Sequence, residues 1–392
     1  MKKCIILFFC AFLGFASLGA LEFGLVLQDE AKFTQLGFYN NTTLIPWLSI
    51  PVNPKADFYL SGNFQFEYNY SKWNIIPDVG EFDFTYRFDD LTSIKVGRVP
   101  YFDATTLINM GLYDGVLADI SLMDNPFRAA VFYTGLLNKK NAQVVLSASD
   151  LMDYVNDDIF FGSKRIIAAA EYGLEGFIGD KNTFTVGLLG QFDLRKGAEN
   201  RLHSQYISLN YDLRQVDHLV MNFNGVLVFE ESRADPFGAA AALAFDLSWY
   251  LPYDRTHKVL AAAQWTSGKT AAFIPYRSIN DITVGEVFSP SLTGVIFTQL
   301  GYGARILPTL YGEFQANYFI RTDLGTAYDP DIDPASDSHL LGGEFVLNAV
   351  WSPLSDLSLV GEAGIFLPQM GGAFMEDAKV QWLVSLTLVL SF

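Results

Sequence analysis

Apolar and polar residues alternate along most of this chain, most plainly in its last segment. Val380, Trp382, Val384, Leu386, Leu388, Leu390 and Phe392 are apolar at every second position. Lys379, Gln381, Ser385, Thr387 and Ser391 interleave with them, with Leu383 and Val389 as exceptions. A period of two predicts a β-strand with one face in an apolar medium and the other against something wetter. Upstream, Phe58, Leu60, Phe64, Phe66, Tyr68 and Tyr70 alternate with Ser61, Asn63, Gln65, Glu67 and Asn69, and Phe82, Phe84, Tyr86 and Phe88 with Glu81, Asp83, Thr85 and Arg87. Leu310, Phe314, Ala316, Tyr318 and Ile320 repeat the pattern, as do Leu357, Leu359, Ala363, Ile365 and Leu367. Noisier runs cover 164–177, 183–194, 204–213, 218–230, 237–251, 257–267, 292–306 and 338–351. Most runs span 9–15 residues. A tilted strand crossing ~25–30 Å of hydrocarbon needs about that length, whereas strands of soluble proteins average about five or six residues. The pattern predicts an all-β fold, a single antiparallel transmembrane β-barrel.

Connections of two kinds separate these runs. Short turns fall at 53–56, 89–91, 124–126, 178–182, 213–217, 252–256, 305–308 and 352–355. Longer or more polar segments fall at 71–79, 99–113, 137–163, 195–200, 231–236, 268–290, 322–337 and 368–377. With 21–27 and about 34–52 as the first two strands, and 141–148 inside an outer loop, the count is 18 strands, with 16 as the alternative. Pro46 and Pro51 interrupt the second strand, since proline cannot donate to a ladder. No internal repeat, linker or long N-terminal plug interrupts the single domain at 21–392.

The terminal aromatic Phe392, preceded by Leu390 and Leu388, resembles the C-terminal assembly signature of bacterial outer-membrane β-barrels. The resemblance implies handling by periplasmic chaperones and the barrel assembly machinery, then a final place among outer-membrane lipids. It also implies that the short turns are periplasmic and the longer loops extracellular, with Phe392 at the periplasmic rim. The Lys/Phe-rich leader and the acidic, aromatic-rich remainder resemble spirochaetal and other diderm outer-membrane proteins in composition, and a barrel of about 18 strands more naturally encloses a porin-like channel.

The chain opens Met1-Lys2-Lys3, continues with a short apolar stretch from Cys4 to Ala16, and reaches Ser17-Leu18-Gly19-Ala20. This is the layout of a secretory signal at 1–20, cleaved near Ala20. Both cysteines, Cys4 and Cys10, fall inside it, so the mature chain has no thiol for disulfides or metal sites. The formal net charge of −17 becomes −19 once Lys2 and Lys3 leave with the signal. Such acidity argues against nucleic acid as a partner. Hydrophobic residues make up 50% of the chain, with 34 Phe and 19 Tyr. Yet nothing after the leader approaches the ~18 uninterrupted apolar residues of a membrane-spanning helix.

The parity opposing the apolar band is ionisable. Its acids are Glu67, Asp83, Glu171, Glu175, Asp193, Asp212, Glu230, Asp246, Glu313, Glu344 and Glu362, and its bases Arg87, Lys95, Arg128, Arg165, Arg305 and Arg321. Such a set cannot enter an unpaired dry core, so the interior is expected to be largely hydrated or heavily paired. The acidic excess suggests weak cation preference. Val99 to Asp114 is less charged than the other long segments, and it resembles the early loop that folds inward in general porins. Candidate constriction and lumen residues are therefore Asp103, Asp114, Arg98, Lys95, Asp83, Arg87, Glu313, Arg321, Glu344 and Glu362.

Other features carry less. Asp329, Asp331, Asp333 and Asp337 have the odd spacing of a calcium loop, but Pro334 replaces the turn glycine and Leu340 the closing glutamate, so a solvated loop is expected. Asp150, Asp153, Asp157 and Asp158 form a second acidic stretch beside Phe160 and Phe161. His203, His218, His257 and His339 lack any nucleophile motif beside them, and nothing calls for a cofactor or metal, so no enzyme is expected. The expected function is an outer-membrane channel passing small hydrophilic solutes or ions. The alternative is a surface antigen or adhesin with a plugged lumen, and behind it a transporter of hydrophobic substrates. Monomer and homo-oligomer are equally compatible with the chain.

Overall fold

The computed structural model describes residues 21–195, 201–214, 217–232, 237–252, 254–326 and 328–392; the signal segment and its cleavage near Ala20 lie outside them. Alternation produces 18 strands in one antiparallel sheet. The first six are β1 (Glu22–Thr34), β2 (Gly37–Asn53), β3 (Ala56–Asn69), β4 (Lys72–Arg87), β5 (Ser93–Phe102) and β6 (Met110–Leu122). Next come β7 (Asn125–Tyr133), β8 (Arg165–Glu175), β9 (Thr183–Asp193), β10 (Leu202–Leu213), β11 (Leu219–Ser232) and β12 (Gly238–Leu251). The last are β13 (Asp254–Thr266), β14 (Val295–Leu307), β15 (Leu310–Arg321), β16 (Leu340–Leu354), β17 (Leu357–Leu367) and β18 (Gln381–Ser391). Each strand pairs with its neighbours in sequence, and β1 also pairs with β18, which closes the sheet into a barrel without a free edge. Phe392 completes the closure: its N–H donates to the Leu25 carbonyl at 2.9 Å, and its own carbonyl accepts from Leu25 N–H at 3.1 Å.

The apolar parity faces outward. Trp382, Val384 and Leu386 of β18 are exposed on the barrel's outer surface, while Leu383 and Ser385 between them are buried. A hydrocarbon surround makes that exposure favourable, and it is why the strand pattern looks inverted relative to a soluble core.

Several boundaries differ from the sequence expectation. The first hairpin is longer, because β1 runs on to Thr34 and meets β2 in a tight turn. Pro46 is accommodated because the β2–β3 ladder skips Ile45 and Pro46. Segment 71–79 is strand rather than loop: β3 and β4 meet in a tight turn, and Pro77 lies in β4 opposite Phe64. Proline fits there because the other edge of β4 has no partner at that height.

That missing partner is the main irregularity of the wall. The β4–β5 ladder ends at Phe82 opposite Arg98, and the β6–β7 ladder ends at Asp114 opposite Tyr133. Beyond those points residues 99–102 and 110–113 pair only with each other. The β5–β6 hairpin thus leaves the wall, and the connection expected at 99–113 is mostly strand with a short tip at 103–109. Two glycines face each other where it departs, Gly97 opposite Gly115. Gly97 has φ +142°. A Cβ at Gly97 would lie 2.1 Å from the Phe82 carbonyl oxygen, and one at Gly115 2.1 Å from that of Val131. Replacing Gly97 by Val should therefore destabilise the barrel by about 1–3 kcal/mol. Urea midpoints of the two refolded proteins in detergent report this, and equal midpoints would show that the bend tolerates a side chain.

Candidate functional site

The β5–β6 hairpin lies inside the barrel against the inner face of β7 and β8. Val99, Tyr101 and Tyr113 are almost fully buried, and the rings of Tyr101 and Tyr113 sit 5.3 and 5.5 Å from that of Phe132 on β7. At the tip, the Ala104 N–H donates to the Glu171 carboxylate of β8 at 2.8 Å. Asp103 organises the tip itself. Its carboxylate accepts from the N–H groups of Thr105, Ile108 and Asn109 at 2.9, 3.1 and 2.8 Å, and from the Thr105 hydroxyl. Burial pushes the Asp103 carboxyl above its usual pKa range, opposed by these four donors.

Two longer loops fold in behind the hairpin. Loop 134–164 contains the helices α1 (Lys139–Ala142) and α2 (Ala148–Val155), and α2 opens with a reciprocal capping box between Ser147 and Asp150. The Asp150 carboxylate also takes a hydrogen bond from Arg165 of β8 at 2.7 Å, and Arg195 lies 3.1 Å from it. Both arginines reach Asp193 as well, at 3.4 and 2.5 Å, so two cations and two anions neutralise one another in the interior. Loop 267–294 reaches the hairpin directly. Tyr276 hydroxyl donates to Leu107 carbonyl at 2.8 Å, Ile279 N–H to Ile108 carbonyl at 2.7 Å, and Met110 N–H to the Asn280 amide oxygen at 2.9 Å. Its far end is held by Glu344 of β16, fully buried, which accepts from the N–H groups of Glu286, Val287 and Phe288 at 3.2, 2.7 and 2.8 Å and from Asn317 at 2.8 Å. Between loops and wall lies one apolar cluster, running from Tyr101 and Phe132 through Tyr206 and Val228 to Phe288, Phe319 and Phe366. Of the two expected forms of the interior, hydrated or heavily paired, this side takes the second, around an apolar fill.

Where the hairpin leaves the wall, Arg98 closes the seam. It bonds Asp114 at 2.9 Å, Asp78 of β4 at 3.1 Å, and the carbonyls of Val79 and Leu136 at 2.7 and 3.2 Å. Among the described residues, two cavities flank the hairpin, the first of them the more polar. One of 830 Å³, toward the long-loop rim, is lined by β2–β4, by both helices of loop 134–164 and by Leu112 of β6. The other, of 420 Å³, lies toward the short-turn rim, lined by Ala104 at the tip together with Asp119, Arg128 and Glu171.

The residues singled out from sequence scatter across this arrangement. Asp103 folds back onto the N–H groups of the tip, and Asp114 pairs with Arg98 in the seam, so all three are engaged within the protein rather than facing open space. Asp83 is buried and accepts from Thr85 hydroxyl at 2.5 Å. Lys95 is half-buried on β5. Arg87 is exposed near the short-turn rim, paired with Asp57. Glu313 is held by Lys258 at 3.1 Å and Tyr311 at 2.6 Å. Arg321 is buried and donates to the carbonyls of Ser336 and Ser338 at 2.7 and 2.8 Å, clamping loop 322–339. Glu344 anchors loop 267–294, and Glu362 is half-buried with Ser385 at 3.5 Å. In the calcium-like stretch, Asp329 and Asp333 accept from Asp331 and Ala335 N–H within their own loop. Phe160 and Phe161 stack edge-to-face and remain exposed.

Sequence reasoning missed Asp78, Asp150 and the amides of the larger cavity. Asp78 was hidden because Pro77 made its strand look like a loop. Asp150 sat in an acidic stretch read as solvated, although Ser147 three residues earlier is a capping-box signal.

The buried charge cluster gives a direct test. Replacing Arg165 by Met leaves two buried carboxylates with one cation, which should cost about 3–5 kcal/mol and free loop 134–164. Limited proteolysis of folded protein should then cut within that loop, and adding Asp150→Asn should restore part of the protection. Unchanged protection in the single variant would show that the cluster does not hold the loop.

No family model and no curated protein matches the chain. Solved structures do match. OpdK of Pseudomonas aeruginosa, determined with vanillate, aligns with TM-score 0.63 at 12% identity, covering 95% of this chain and 98% of that one. OccK2 (OpdF) of the same organism aligns with the same score, identity and coverage. OccK3 (OpdO), again from P. aeruginosa, aligns at TM-score 0.60 and 16% identity, covering 97% and 98%. At these identities the likeness concerns the fold, and it says nothing of a spirochaetal source. The chain has the closed 18-stranded antiparallel barrel architecture of the Pseudomonas OccK outer-membrane porins.

Proposed function

We propose that this protein is a porin-like outer-membrane channel through which small hydrophilic solutes or ions cross by passive, weakly selective diffusion. The observation that supports it best is the placement of the Val99–Asp114 hairpin between two cavities, one toward each rim. A chain segment held inside a barrel between two open spaces would narrow a path. A surface antigen would present its loops outward, whereas loops 134–164 and 267–294 are tied inward by buried charges. The constriction would then be the hairpin backbone and its flanking wall, with Asp103, Asp114 and Arg98 shaping it from within. The fold likeness to OccK porins supports an outer-membrane location.

Selectivity would follow the acidic groups left around the open interior. Glu286, on loop 267–294, is open to the interior. Its carboxyl is pushed up to about 7, first by the protein packed around it and then by the charges of Glu362 and Glu344, with Lys32 opposing. It therefore gains charge between about pH 6 and 8, adding a negative field to the path. By linkage the same ionisation lowers stability as pH rises, because the folded state holds this proton more tightly than the unfolded chain.

Single-channel recording in planar bilayers, with reversal potentials in a salt gradient, tests both statements. We expect discrete openings whose cation-over-anion preference rises from pH 6 to 8, and a Glu286→Gln variant in which that rise disappears. Folded protein without openings would overturn the channel reading. Openings with a pH-independent preference would remove Glu286 from the conduction path.

A further inference from the structure

The 830 Å³ cavity at the long-loop end has a composition that selects its occupant. Its volume falls inside the ~300–1,000 Å³ range of small-molecule sites. Asn41 of β2, Asn63, Gln65 and Asn69 of β3, and Asn74 of β4 line one wall. Asn141 of α1 and neighbouring Gln143 face them from loop 134–164, and Tyr39 and Tyr154 add aromatic surface. A side-chain amide offers donors and an acceptor at once, the same dual capacity as a hydroxyl group. The Asn41 amide oxygen is buried and has no hydrogen-bond partner, so a small rotation of the side chain toward the cavity would gain it one.

The charges of this cavity cancel. Lys140 is engaged by Glu67 at 2.5 Å, and Asn74 bonds the same carboxylate at 2.9 Å. Lys72 is engaged by Asp157 at 2.6 Å. A carboxylate-bearing solute would meet the negative charge of Glu67 beside Lys140, and at Lys72 only an exposed cation already shared with Asp157, so the cavity gives it little net attraction. Gln65 donates to the Asn141 amide oxygen at 3.0 Å and Asn141 to Asp78 at 2.8 Å. A neutral solute bearing many hydroxyls can add to or exchange such bonds with matched donors and acceptors. Its apolar C–H faces fit the tyrosine rings together with Ile76, Leu112 and Val155.

We propose that this cavity is a docking site for neutral polyhydroxylated solutes of sugar or polyol class, set at the outer mouth of the path. The docking role in uptake rests on the channel reading; the binding itself does not.

Saturation-transfer NMR on the detergent-refolded barrel, with sucrose and vanillate as probes, tests the site. Sucrose should show transfer and vanillate little. The Asn41→Leu/Asn69→Leu double variant should weaken sucrose binding by at least about threefold, the equivalent of one lost hydrogen bond. Glu67→Gln should raise vanillate binding by releasing Lys140, a gain that misfolding cannot produce. Absence of sucrose transfer to the wild-type barrel, or an equal response in the double variant, would overturn the site. Bilayer conductance of the same preparation decides the channel reading separately, since sucrose binding without openings would leave a site in a closed barrel.

Discussion

A barrel of 18 strands encloses more space than its own wall side chains can fill. Whatever enters that space must have its charges and backbone polar groups satisfied, because an unpaired charge in a desolvated interior costs several kcal/mol. The structure meets this constraint by drawing chain inward and tying it with ionic hydrogen bonds. Arg165 and Arg195 neutralise Asp150 and Asp193. Glu344 gathers three consecutive N–H groups of loop 267–294. Arg98 binds the hairpin's departure point to β4 through Asp78 and Asp114. Around these ties an apolar cluster forms that a wall of alternating residues could not build alone.

The interior is consequently asymmetric. The side from β7 round to β17 is filled by the hairpin and the two loops, while the long-loop end along β2–β4 keeps a polar cavity. The hairpin that forms part of the filled side also borders that cavity through Leu112, and the opposite one through Ala104. One element thus borders both the packed side and the two cavities. Its inward course depends on a wall ladder that ends early on both sides and on the Gly97–Gly115 pair.

The wall was legible in the sequence because lipid on one face and a wetter interior on the other enforce a period of two over a length that only a bilayer requires. Phe392, Leu390 and Leu388 mark the closing strand, and counting connections back from it reached the observed number of strands. The inward segment was legible too, as an early stretch poor in charge between Val99 and Asp114. The anchors were harder to see. Arg165 appeared only as a member of an inward parity and Glu344 only as a lumen candidate, because their partners Asp150 and Glu286–Phe288 are brought to them by loop closure rather than by spacing. Asp78 was obscured by Pro77, whose tolerance depends on an unpaired edge that no local pattern announces. The amide-lined cavity draws on β2, β3, β4 and loop 134–164, and only the barrel's curvature brings them together.

In the proposed channel the β5–β6 hairpin, folded inside the barrel, sets the width of the path. Conductance of a variant in which residues 103–109 are replaced by a tight Asn-Gly turn tests it most directly. The account predicts a folded barrel with single-channel conductance clearly above that of the unaltered protein. An equally folded barrel with unchanged conductance would contradict it.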